Sequence, residues 1–194
     1  MTTPHDEYVR ITTFGQCILP ECRSKYTGSV WYNKPQKRWV ARFGLRYPYL
    51  QAVSFESEED AIDYIKRVNV EHGLPILNLL YLYGGEYYCE LSNQQLLKFS
   101  HASRSLVESR TWTLARKGKP GKQVSHDAVA HVTREELDGS LTKKTYTFRR
   151  MMFPYIDEDQ CVRCRNGDTL DGTLENVYVA SLASTFGIHN NHNV

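Results

Sequence analysis

The sequence predicts an α+β protein: a small three-stranded sheet packed on one helix, followed by a second domain of strands and short helices around a polar loop. Three observations predict it. The run YTGSVWYNKPQKRWVARF reads as two strands about a turn at Asn33 to Gln36. In FESEEDAIDY and its continuation, Ser57 reads as an N-cap with Asp60 three residues on. Ala61, Ile62, Ile65 and Val68 then recur at helical spacing until Gly73 and Pro75 end the helix. The run VRCRNGDTLDGTLENVYVAS, Val162 to Ser181, reads as a Gly/Asp loop between two strands.

In chain order, residues 1–24 form an N-terminal extension. Its opening, MTTPHDEY, lacks the basic and apolar pattern of a signal peptide and is acidic where a mitochondrial presequence is basic. Residues 25–74 form the sheet-and-helix module, with a third strand expected over Leu45 to Phe55, after Gly44. Residues 75–85 are an apolar connector, which favours packed rather than swinging modules. Residues 86–186 form the second module. It opens with EYYCELSNQQLLKFSHAS, read as a strand and a short helix with Ser92 as cap and Gln95 in the capping-box position. VESRTWTLARKG then supplies a strand with Trp112, followed by a basic hairpin loop, Lys117 to Lys122, loosened by Gly118, Pro120 and Gly121. TYTFRRMMF leads into the polar loop. Residues 187–194, with His189 and His192, are a polar tail expected to fray.

Composition is that of a folded chain: 194 residues, 41% hydrophobic and 24% charged, enough for one ordinary domain or two small ones. No apolar run reaches the roughly 18–20 residues that cross a membrane; the longest, Leu74 to Tyr83, is interrupted by Pro75 and Asn78. A membrane partner is therefore not expected, and an intracellular location of unknown compartment is. The net charge of +2 says little, but its distribution says more. Lys34 to Arg46 holds Lys34, Lys37, Arg38, Arg42 and Arg46 with no acid. Arg104 to Lys122 holds Arg104, Arg110, Arg116, Lys117, Lys119 and Lys122 against Glu108 alone. Lys143, Lys144, Arg149 and Arg150 form a third cluster, and the balancing acids lie chiefly at Glu56 to Asp63. Basic segments with interleaved aromatics suit a phosphate backbone; solvated strand edges would have the same composition.

Tyr26 to Gly73 resembles an AP2-type DNA-binding domain. Tyr26, Gly28, Trp39, Ala41 and Arg42 fall on that family's Y-x-G … K-W-x-A-R core, and FESEEDAIDY on its F-x-S/T-E-E-E-A segment. AVSF stands where the family has Leu-Gly before the helix. The resemblance implies that the sheet, not the helix, meets DNA. By position it puts Arg38 and Arg42 at the interface with Trp31 and Lys37 beside them, and Trp39 in the core. Arg suits bidentate contact with guanine or phosphate.

Val162 to Ser181 resembles the nuclease loop of HNH homing endonucleases, whose pattern runs V-D-H-I-N-G-D-x-L-D … E-N. Val162, Asn166, Gly167, Asp168, Leu170, Asp171, Glu175 and Asn176 fall on it. The resemblance implies a ββα-metal fold in which a His activates water and a divalent cation stabilises the leaving oxygen. Here the His position holds Cys164, the metal-binding Asp is Arg163, and a downstream Asn ligand falls on Thr185. Asn176 is retained; in the family it braces the loop. A soft thiol suits neither Mg²⁺ nor work as a base on water, and Arg163 puts a positive charge where the cation would sit. TYTFRRMMF takes the place of the family's L-H-R-x-I/V segment, with Phe148 at its His and Arg149 kept. No catalytic set is intact, and Mg²⁺ is expected only if the nuclease is active.

The five cysteines include Cys17 and Cys22 in CILPEC and a C-x-x-C at Cys161 and Cys164. Together they could form a Cys₄ zinc site; reduced thiols are the favoured alternative, so no cofactor is expected. The function expected is binding of nucleic acid, DNA before RNA, by a chain derived from a homing endonuclease and lacking cleavage. The contacts expected are Arg38, Arg42, Lys117, Lys119, Lys122, Arg149, Arg150 and Arg163. Two alternatives stand: an active HNH endonuclease whose base is His126 or His131, and a structural subunit of a ribonucleoprotein or other large protein assembly.

Overall fold

The computed structural model describes residues 3–117, 125–135 and 140–183, and of Lys117 and Arg134 the backbone only. The chain is α+β, with several small sheets and few helices. It forms two compact units, Leu19–Leu79 and Met1–Ile18 together with Leu80–Val194.

Helix α1 (Pro4–Phe14) opens the chain. The Thr3 hydroxyl accepts from the Asp6 amide while the Asp6 carboxylate accepts from the Thr3 amide, and Pro4 occupies the first turn, where no amide is needed. Ile11 is buried, and the Tyr8 hydroxyl donates to Glu90 at 2.7 Å. Strand β1 (Gln16–Ile18) follows.

The Leu19–Leu79 unit holds β2 (Ser29–Asn33), β3 (Arg38–Arg42), β4 (Val53–Phe55) and α2 (Glu58–Glu71). The strands form an antiparallel sheet in the order β2-β3-β4. The turn lies at 34–37, one residue later than the expected Asn33 to Gln36 because Asn33 still pairs with Arg38, and Lys37 takes φ +51°. Trp39, Ala41 and Phe55 share a face and pack with Tyr26, Phe43, Ala61, Ile65 and Val68. Ser57 caps α2 as expected, its hydroxyl accepting from the Asp60 amide at 3.0 Å. Asn69 adds a polar tie: it is fully buried, and its amide group donates to the Thr27 and Ile65 carbonyls and accepts from the Thr27 amide. The third strand is shorter than expected. Residues 44–50 turn back on themselves through Tyr47 N–H to Gly44 and Leu50 N–H to Tyr47, and Pro48 brings no amide to a ladder.

The other unit continues with β5 (Leu80–Tyr83), β6 (Glu86–Glu90), β7 (Leu96–Phe99), α3 (Arg104–Glu108), β8 (Thr113–Lys117), β9 (Ser125–Glu135), β10 (Leu141–Thr147), α4 (Phe148–Met152), β11 (Gln160–Cys164), β12 (Asp171–Gly172) and β13 (Val177–Ser181). They build a five-stranded sheet β1-β5-β6-β7-β12, a three-stranded sheet β10-β9-β8 and the hairpin β11-β13. Leu80, Cys89, Leu97, Phe99, Val107, Trp112, Ala128 and Phe148 form its core. Trp112 meets Phe148 edge to face at 5.2 Å, and its indole N–H donates to the Val107 carbonyl at 3.0 Å. Phe148 is thus a packing residue.

Three expectations change here. The connector 75–85 contains β5, paired to β1 on one side and β6 on the other, with Gly84 and Gly85 at positive φ making the turn. The extension 1–24 is not separate either, because its β1 is an edge of that sheet. The short helix expected after Ser92 is strand β7, whose side chains alternate with Leu97 and Phe99 buried. Asn93 and Gln94 take positive φ, which breaks a helix, and the Ser92 hydroxyl accepts from the Leu114 amide instead of capping.

Among the described residues no helix is long and apolar enough to cross a membrane. Lys119, Lys122, Thr185 and the tail 187–194 lie outside the described residues, as does the side chain of Lys117.

Candidate nucleic-acid interface

Within the Leu19–Leu79 unit the sheet packs one face against α2, and among that unit's described residues no helix covers the other. The ladder sets Trp31 opposite Val40, Val40 opposite Ser54, Ser29 opposite Arg42 and Asn33 opposite Arg38. Side chains alternate along a strand, so Arg38, Val40 and Arg42 share the open face with Trp31 and Ser54. Val40, on the central strand, is buried, while Trp31 is 39% exposed and both arginines are exposed. Lys37 is exposed in the adjoining turn. The face therefore joins two guanidinium groups and an indole on a stiff backbone. Glu56 also reaches it, 3.5 Å from Arg38. Sequence reading missed Glu56 as a member of this face; one position beyond the Trp39–Phe55 pair, it was there to be counted.

In the other unit, residues 165–176 close a loop between β11 and β13. Asn176 braces it. The Asn176 amide group donates to the carbonyls of Asp171 at 2.6 Å and Asp168 at 3.3 Å, and its side-chain oxygen accepts from the Asn166 amide at 3.0 Å. Gly167 takes φ +77°, and Asn166 and Asp168 turn the chain by accepting from amides two residues on. Asn166 further donates to the Asp171 carboxylate at 2.8 Å.

Cys164 ends β11 at the mouth of this loop. Burial pushes its thiol up, outweighing the neighbouring Arg149 guanidinium, so the group is a neutral thiol near pH 7. Arg149 does not reach solvent as an interface residue should. Asp127, itself buried, holds it at 2.5 Å, and only 15% of the Arg149 side chain is exposed. The expectation of a phosphate contact at Arg149 is corrected accordingly: its charge is taken up inside the fold by an acid on β9. Arg150 turns its guanidinium to the Phe153 carbonyl. Arg163 is half-buried on β11 opposite Tyr178, over whose ring Arg165 stacks at 4.8 Å.

These positions do not fit a divalent cation. The Asn176 amide is spent on the loop, Cys164 is a neutral thiol, and Arg149 lies against it. Cys161 and Cys164 are three apart on one strand and so point to opposite faces, which denies them a shared metal. Cys17 lies exposed on β1, and none of the five cysteines forms a disulfide. Among the described residues no group of three or more His, Cys, Asp or Glu side chains could hold a metal ion.

Of the two histidines considered as bases, His131 bonds the Thr145 hydroxyl at 2.9 Å on the exposed part of β9. His126 lines a cleft of about 500 Å³ with Tyr88, Lys98, Asp168 and Asp171. The His126 carbonyl accepts from the Thr169 hydroxyl, which ties the start of β9 to the loop. This juxtaposition left no spacing signal, because β9 and the loop meet only in three dimensions.

Compared with protein-family models, curated proteins and solved structures, the chain matches none.

Proposed function

We propose that this chain binds nucleic acid, DNA before RNA, through the open sheet face of its AP2-like unit, and that its HNH-like unit binds without cleaving. The observation that carries this reading is the gathering of Arg38, Arg42 and Trp31 on the face that α2 leaves uncovered. Arginines on a rigid strand can neutralise phosphates or fork onto a base edge, and an exposed indole adds a stacking surface. Lys143 and Lys144, exposed on β10, and the half-buried Arg163 add positive charge in the other unit.

Loss of cleavage is supported by the neutral thiol of Cys164 and by Arg163 in place of an acid. A second reading, a hydrolase with His126 as base, is favoured by the cleft that His126 shares with Asp168 and Asp171. Fluorescence anisotropy with a short labelled duplex and a single-stranded RNA of the same sequence tests the first. Salt-sensitive binding of the duplex, weakened by Arg42→Ala, is expected. Binding that ignores Arg42→Ala, or a preference for the RNA, contradicts it.

A further inference from the structure

We propose that Glu56 is a specificity-determining residue of the open sheet face, engaging Arg38 in a weak pair that disfavours contact with a lone phosphate more than contact with two acceptors at once. The proposal rests on the nucleic-acid reading and adds a regulator to the same face. Glu56 lies one position past the Trp39–Phe55 pair, so its side chain shares the face of Arg38. The Arg38 guanidinium donates to the Glu56 carboxylate at 3.5 Å, with side chains 50% and 87% exposed.

An exposed pair at this distance is weak and screened by salt. It can be given up, but not for nothing. A single phosphate oxygen offers Arg38 much what Glu56 already offers, and it must also approach the Glu56 charge. A base edge or a paired set of phosphate oxygens offers the guanidinium two acceptors at once. Glu56 thus subtracts from indiscriminate backbone contact more than from correctly docked contact, the repulsive half of selectivity. Arg42, at the other end of β3, carries no such acid among the described residues. The two arginines of the face are unequal: Arg42 offers its charge directly and Arg38 conditionally.

The test uses the full chain and a labelled random-sequence duplex, titrated by anisotropy over a series of salt concentrations. Four proteins are compared with the unsubstituted one: Glu56→Gln, Arg38→Gln, the double variant, and Glu58→Gln as a nearby acid not paired to Arg38. Glu56→Gln is expected to tighten random-duplex binding roughly 3- to 10-fold at low salt and to steepen the slope of log K against log salt by about 0.9, one further phosphate contact. Glu58→Gln should do less, and in the Arg38→Gln background Glu56→Gln should do almost nothing. An effect of Glu56→Gln that survives loss of Arg38, or that equals Glu58→Gln, overturns the role of Glu56 while leaving the binding function standing. Absence of salt-dependent duplex binding by the unsubstituted chain overturns both.

Discussion

Asp127 and Arg149 meet at 2.5 Å, with 3% and 15% of their side chains exposed. The pair joins β9 to α4 beside the core residue Phe148, and among the described residues the buried Arg149 Nε atom has no hydrogen-bond partner. Breaking such a pair leaves a buried charge uncompensated. Asp127→Asn should therefore cost about 3–5 kcal/mol in a denaturant titration, whereas replacing both partners by apolar residues of similar size should cost much less. Equal losses for the two variants would mean the pair is not acting as a buried charge pair.

Glu90 accepts from Tyr8 at 2.7 Å with one oxygen and from Tyr81 at 3.2 Å with the other. The hydrogen bond to Glu90, with some burial, pushes Tyr8 from 10.0 up to about 12. Burial and Glu90 push Tyr81 up as well. The folded chain thus holds these protons more tightly than the unfolded chain does. The stability they contribute is whole below the unfolded value of 10.0 and is lost as pH rises through about 12. Urea midpoints measured across that window should fall, and Tyr8→Phe should make the fall shallower. An equally steep fall in Tyr8→Phe would assign it to other groups.

Asn176 makes three hydrogen bonds within its loop while 6% exposed. Asn176→Ala removes them and leaves part-buried backbone groups to pair with water, at a cost of about 1 kcal/mol. Amide exchange at 166–172 should accelerate more than exchange in β6 or β7. Uniform acceleration would place the loss in global stability instead.

Gly28 takes φ +126°, and an added Cβ would stand 2.6 Å from the Ile65 side chain and 3.3 Å from Phe43. Strain and overlap add, so Gly28→Ala should destabilise the Leu19–Leu79 unit by about 1–3 kcal/mol. A thermal melt unchanged by this substitution would contradict the close packing of α2 on β2.

Arg42 and Arg149 should behave oppositely in binding and stability. Arg42→Ala should leave the melt within about 0.5 kcal/mol and reduce the salt slope of duplex binding by about 0.9. Arg149→Ala should lower the melt, with the binding slope unchanged once folding is restored by lower temperature. The reverse pattern would exchange their roles.

Local rules made much of this legible. The cap at Ser57 and the apolar rhythm of Ala61, Ile65 and Val68 are short-range features and stand as read, and the turn expected at Asn33 to Gln36 falls one residue later. Ser92 shows where such rules mislead: a good cap residue with Gln95 behind it precedes a strand, because Leu97 and Phe99 are buried together in the sheet. The connector was misjudged for the same reason, since the pairing of Leu80–Tyr83 with Gln16–Ile18 spans a whole unit of sequence. At the candidate sites, Arg38, Arg42 and Trp31 could be placed by counting alternation along strands. Asp127 could not, for no spacing announces that an acid on β9 will take up Arg149. Charge was counted residue by residue, and burial decided which charges remain outside.

The central claim is binding without cleavage. Its most direct test incubates the purified chain with supercoiled DNA at two salt concentrations, with Mg²⁺ and with EDTA, scoring nicking and mobility together. Retardation that weakens with salt, and no nicking in either condition, is the predicted result. Nicking that requires Mg²⁺ and vanishes in EDTA would contradict it and turn attention to His126.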